Sequence, residues 1–129
     1  MGRERRKLTR FMVQEKAFVA VGFNFPKIGR INDISRGGLA FEYLTDYARD
    51  KAGNEGSDSE SFQATIFLVG EGFRLNDVPC VIVYDVLGRI FSNSFILKRR
   101  CGVKFGRLTE TQRKELNLFL AEHTTGLAR

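Results

Sequence analysis

Apolar side chains recur at every second position through most of the chain. The alternation is plainest in Ala17–Phe25, where Val19, Val21, Phe23 and Phe25 share one side of an extended segment, the period of a half-buried strand. Pro26 ends that segment. Gly29–Ile34 and Leu39–Leu44 read as the next two strands, with a sharp turn at the Gly37–Gly38 pair. Strand signals resume at Phe62–Val69, Val78–Val86, Ile90–Leu97 and Cys101–Leu108, and turns are expected at Gly70-Glu71-Gly72 and Leu87-Gly88-Arg89. Residues 45–61 (TDYARDKAGNEGSDSES) break the pattern; polar and rich in Gly and Ser, they read as a mobile loop.

The period then changes. Thr109 followed by Gln112 three residues later is a capping-box pattern, in which each side chain satisfies a free backbone N–H of a first helical turn. Leu116, Phe119 and Leu120 follow at helical spacing, so Thr109–His123 reads as an amphipathic helix whose apolar stripe covers a barrel end. The expectation is an all-β single domain over residues 1–129. It comprises an arm at 1–16, a small antiparallel barrel at 17–108 and one C-terminal α-helix at 109–123.

Composition narrows the function classes. A hydrophobic share of 43%, with 12 Phe, is enough for a core. The longest apolar runs, such as Thr65–Gly70 and Val78–Tyr84, are too short to cross a bilayer. The opening MGRERRKLTR has no apolar segment behind it, and Arg6 stands where a myristoylation signal needs Ser or Thr, so the sequence reads as soluble and cytoplasmic with no membrane partner. Cys80 and Cys101 have no CxxC spacing, and the single histidine, His123, lies in the helix; the two cysteines read as reduced core thiols, with no metal site. The acidic residues of 45–61 lack the spacing of a calcium loop. No nucleophile sits in a catalytic motif and no Gly-rich phosphate loop is present, so the sequence does not read as an enzyme.

Charge is uneven. The chain carries +6, and Arg3, Arg5, Arg6, Lys7, Arg10 and Lys16 against Glu4 and Glu15 place +4 of it in the first 16 residues. A basic arm of this kind points to an anionic partner met locally. Within it, Arg6-Lys7-Leu8-Thr9-Arg10 is an RxxxR pattern preceded by Arg5. Asp33-Ile34-Ser35-Arg36-Gly37-Gly38, at a strand end, is DxSxxG. Either alone is unspecific: the arginines read as a solvated tail, and Asp33 and Ser35 as a turn closed on backbone amides.

Together and in this order, the two motifs resemble those of the PilZ family, in which RxxxR and [D/N]xSxxG jointly grip cyclic di-GMP. GRINDISRGGLAF is similar to the family's strand–turn–strand, and RRCGVKFGRLTETQRKELNLFLAEH to its closing strand and helix, so the resemblance covers nearly the whole chain. It implies a six-stranded antiparallel barrel and a cyclic di-GMP site of Arg5, Arg6, Arg10, Asp33, Ser35 and Gly38. The implied role is a receptor that signals to a downstream protein. Arg5, directly before RxxxR, implies a stacked pair of ligand molecules.

The chemistry of these residues agrees. Guanidinium groups pair with phosphate oxygens and match the O6 and N7 acceptors of guanine. Asp33 offers acceptors to the N1–H and N2–H₂ edge, Ser35 a hydroxyl contact, and Gly38 room for close approach of the ligand or the arm. Arg36 projects from the turn and reads equally as solvated. On this view the arm is a mobile segment that ligand draws against residues 33–38. Two other readings stand beside it: a small basic barrel binding RNA or single-stranded DNA, and a PilZ-like adaptor working through protein contacts alone. Against the first, most Phe residues fall at alternating positions beside Val and Ile and read as core, and RCGVKFGRL departs from the aromatic RNA-binding pattern.

Overall fold

The computed structural model describes residues 8–22, 26–48, 61–91 and 95–128. The described elements follow in chain order: β1 (Phe11–Val13), β2 (Ala17–Val21), β3 (Lys27–Ile34), β4 (Gly38–Asp46), β5 (Ser61–Leu68), β6 (Arg74–Ile90), β7 (Ile96–Phe105), α1 (Glu110–Glu122) and β8 (Thr124–Leu127). All pairings among the described residues are antiparallel. Six strands run in the order β2-β5-β6-β7-β4-β3, and pairing of β2 with β3 closes them into a barrel. The expected six-stranded barrel with a C-terminal helix is what the chain forms.

The alternation seen in the sequence fills the barrel. Val19, Val21, Ile31, Leu39, Phe41, Ile66, Leu68 and Val103 point inward and are almost wholly buried. Burying such side chains removes about 1.5–3 kcal/mol of exposure cost each. Helix α1 stoppers one end with Leu116 and Phe119, and Phe73 packs on Phe119 at 5.3 Å. Its start carries the expected capping box: Gln112 N donates to Thr109 Oγ1 and Thr109 N to Gln112 Oε1, both at 3.0 Å. The Gln112 amide also donates to the carbonyls of Asn76 (3.1 Å) and Asp77 (2.9 Å), tying the helix start to β6.

Several expectations are corrected. The arm at 1–16 is not uniformly a loop: Phe11–Val13 is a strand, because β3 has a spare edge there. Residues 27–30 of β3 pair with β2, whereas Asp33 and Ile34 pair with Met12 and Phe11. A further strand, β8, follows the helix and pairs with β1. Finally, Leu87-Gly88-Arg89 is not a turn. β6 runs through it to Ile90, with Gly88 as the extra residue of a bulge. The chain reverses between Ile90 and Ile96, so the segments Ile90–Leu97 and Cys101–Leu108 do not form separate strands, and β7 spans Ile96–Phe105. Of the expected loop 45–61, Thr45 and Asp46 belong to β4 and Ser61 to β5; residues 49–60 lie outside the described ones. No helix among the described residues is long and apolar enough to cross a membrane.

Candidate functional site

A bulge in β3 builds the site. Between Ile31 and Asp33 the register with β4 shifts by one residue, leaving Asn32 as the extra one. Ile31 and Ile34 stay in the core while Asp33 turns to the outer wall. The turn that follows is tightly closed. Ser35 N donates to Gly38 O at 2.8 Å, and Gly37 N donates to Ser35 Oγ at 3.0 Å. Ser35 is thus 3% exposed, its hydroxyl engaged within the turn, while Arg36 is exposed at the tip.

Pairing of β1 with β3 brings Arg10, the last residue of the first motif, to the second. Met12 lies opposite Asp33, and Arg10, just ahead of β1, reaches the Asp33 carboxylate. Arg10 Nε donates to Oδ1 at 2.8 Å and Nη2 lies 2.6 Å from the same oxygen. Leu8 rests on Gly37, where an added Cβ would sit 2.7 Å from the Leu8 Cδ1. Close approach of the arm therefore falls at Gly37. At Gly38, the residue expected to leave room for ligand or arm, the space is taken by β7: a Cβ there would overlap the Val103 carbonyl.

Two residues that no sequence motif marked complete the wall. Arg100, on β7, sits with its Nη2 3.7 Å from Asp33 Oδ2, on the other side of the carboxylate from Arg10. A hydrogen bond with the Tyr84 side chain raises the Arg100 pKa above the ordinary guanidinium value, against the opposing pull of burial. The Tyr84 ring lies over Gly102, where any Cβ would overlap it, and Gly102 pairs with the equally small Ala40. Two guanidinium groups thus flank the Asp33 carboxylate, with the Tyr84 ring beside Arg100 and packed over the small Gly102. These side chains offer donors to an anion and an acceptor to a hydrogen-bonding group. The signal for Arg100 and Tyr84 is only outward-facing register, which becomes visible once the bulges are placed.

Arg10 and Asp33 are brought together, and Ser35 and Gly38 close the turn beside them. Arg5 and Arg6 lie outside the described residues. A second cluster, which no motif marked, gathers around Asp85. Asp85 accepts from Tyr43 Oη (2.6 Å) and Arg99 Nε (2.8 Å), with Lys27 Nζ at 3.8 Å. Burial, then the bond to Asp85, raises the Tyr43 pKa and keeps the phenol protonated. Among the described residues no group of three or more His, Cys, Asp or Glu is placed to hold a metal ion.

No family model matches the sequence, and no curated protein does so at a significant level. Solved structures do match. The PilZ domain of YcgR from Escherichia coli, solved with c-di-GMP, superposes with a TM-score of 0.66 at 16% identity, covering 88% of this chain and 87% of that one. The K. pneumonia MrkH–c-di-GMP complex gives 0.66 at 18% identity over 92% of this chain and 51% of MrkH. PlzA from Borreliella burgdorferi, also in complex with c-di-GMP, gives 0.53 at 13% identity over 92% of this chain and 53% of PlzA. The chain spans about half the length of the latter two. The chain has a PilZ-like fold.

Proposed function

We propose that this chain is a cyclic di-GMP receptor acting on a downstream protein. The observation that supports the reading is the contact of Arg10 with Asp33, one residue from each motif, on a fold whose solved neighbours include c-di-GMP complexes. Arg5, Arg6 and Arg10 take the phosphates and the guanine acceptors, and Asp33 takes the N1–H and N2–H₂ edge. Ser35 and Gly38 hold the turn that presents Asp33, and Arg100 and Tyr84 form the opposite border. Arg5 makes a stacked pair of ligand molecules the expected stoichiometry.

Signalling follows from how the arm is attached. Residues 8–13 already lie on the barrel, so the change on binding is confined to the residues ahead of Leu8 and to the Arg10 guanidinium, which exchanges part of its contact with Asp33 for phosphate. The altered arm is the surface that a partner reads. Equilibrium dialysis with labelled cyclic di-GMP, in the presence of excess GTP, tests the receptor. Retention that GTP does not displace supports it, and loss of retention to GTP refutes specificity. Unchanged hydrogen exchange of residues 3–7 at saturating ligand would refute the arm mechanism.

One observation favours nucleic acid. Phe18 and Phe67 stack at 6.0 Å on the outer wall and not in the core, with Arg30 opposite Phe18. They offer a single ring pair, on the β2–β5 wall, and a stacking surface for single strands needs several along a basic groove.

A further inference from the structure

Arg10 is held from two sides. Its guanidinium reaches Asp33 on β3, and its backbone is tied to the strand that follows the helix, where Ala128 N donates to Arg10 O at 3.0 Å. The register of β1 with β3 runs from Met12 opposite Asp33 to Phe11 opposite Ile34, so Arg10 lies just past that ladder. On the other side, β8 carries the pairing through Phe11 opposite Leu127 and on to the Ala128 bond. β8 thus holds the Arg10 main chain at the point where the β1–β3 ladder stops. The strand itself is well anchored only where it leaves the helix. The His123 carbonyl accepts from Gln14 N at 3.4 Å, and Thr124 Oγ1 donates to the Leu120 carbonyl at 2.8 Å. A bulge then leaves Thr125 between the pairs Val13–Thr124 and Met12–Gly126, and Thr125, Gly126 and Leu127 are exposed. A strand that buries so little opens locally at a cost far below that of the barrel.

We propose that β8 is a positioning element of the ligand site. By holding the Arg10 backbone it sets the guanidinium against Asp33, ready for cyclic di-GMP, and opening of β8 weakens binding. The inference rests on the receptor reading above. Arginine has several rotatable bonds, so a fixed base narrows where its tip lies, and binding no longer has to supply that ordering. The coupling is reciprocal: bound ligand holds β8 closed by the same factor that closed β8 adds to affinity. Ligand thereby changes how often β8 opens, not where it lies.

Two variants of the full chain test this. Ala128→Pro deletes the N–H that bonds Arg10 O and leaves Leu127 extended, as a residue before proline prefers. Gly126→Ala strains β8 at a φ of 155°, with no atom within 4 Å of the added Cβ. Both should keep the wild-type melting temperature and bind cyclic di-GMP about threefold to tenfold more weakly by calorimetry. Without ligand, NMR of the arginine side chains should show the Arg10 Nε–H signal moving towards that of a solvated arginine in both variants. The Arg99 Nε–H, bonded to Asp85, should stay where it is. In wild type, saturating ligand should slow exchange of the Ala128 amide. Variants that bind as tightly as wild type, or an Arg10 Nε–H signal unmoved in both, overturn the proposal. A wild type that binds no cyclic di-GMP defeats the receptor reading instead, and the Nε–H signal still decides whether β8 positions Arg10.

Discussion

Arg10 and Asp33, 23 residues apart in sequence, meet at 2.6 Å where β1 lies along β3. Both side chains are mostly shielded, at 21% and 16% exposure, so the pair is less screened than an ordinary surface ion pair. Arg100 faces the other carboxylate oxygen, so Asp33 sits between two guanidinium groups and orients both. Arg10→Ala should destabilise the fold by about 1–2 kcal/mol, the net worth of a charged hydrogen bond. In urea denaturation, a double-mutant cycle with Asp33→Ala should return a coupling near 1 kcal/mol. Additive effects would mean that the pair does not hold the arm.

The adjacent glycines should respond differently. A Cβ at Gly38 meets the backbone of β7, which cannot give way without opening the β4–β7 ladder. Gly38→Ala should cost about 3 kcal/mol or prevent folding, as overpacking against fixed structure does. A Cβ at Gly37 meets the tip of Leu8, a flexible side chain. Gly37→Ala should therefore cost about 1 kcal/mol or less and raise hydrogen exchange at residues 8–12 while the barrel stays protected. Equal losses for the two variants would contradict this division.

Cys80 and Cys101 should be inert in the folded protein. Burial pushes their thiols up to about 11 and about 12, the second also through the Asp85 charge. Below the ordinary thiol value of about 8.5 both states hold the protons and this stabilisation is complete. As pH rises further, the unfolded chain releases them first, so stability should fall between pH ~9 and ~12. Urea midpoints measured from pH 8 to 11 should decline, and the Cys80→Ala/Cys101→Ala variant should decline less. Rapid reaction of either cysteine with a thiol reagent in the folded state at pH 8 would contradict their burial.

The barrel was legible because its strands alternate cleanly: Val19 and Val21, or Ile66 and Leu68, announce an inward face. The helix was legible from Thr109 and Gln112. What escaped depends on partners distant in sequence. β1 and β8 are three and four residues long and depend on pairing, β1 with β3 and β8 with β1, so no local pattern marks them. Gly88 signals a break in either a turn or a bulge, and only the pairing of Leu87 with Arg99 and of Arg89 with Lys98 decides it. Of the site, Arg10 and Asp33 were legible from motif order. Arg100 and Tyr84 were not, since bulges on β3 and β6 set which side chains share the outer wall.

Gln112 carries more of the helix than its partner in the capping box. Thr109→Ala removes one cap and should cost about 1 kcal/mol. Gln112→Ala removes the reciprocal bond and both bonds to the carbonyls of Asn76 and of Asp77, a non-glycine residue at φ 57°. It should cost more, about 2 kcal/mol, by thermal denaturation. The reverse order would show that the tie to β6 contributes nothing.

The central claim is that Arg10 and Asp33 belong to a cyclic di-GMP site. Calorimetric titration of wild type beside Arg6→Ala/Arg10→Ala tests it most directly, after circular dichroism has shown both to be folded. Saturable binding at micromolar affinity or tighter, near two ligands per chain and abolished in the variant, is expected. A folded wild-type protein that gives no binding heat at any of several temperatures, or a variant that binds as tightly as wild type, would contradict it.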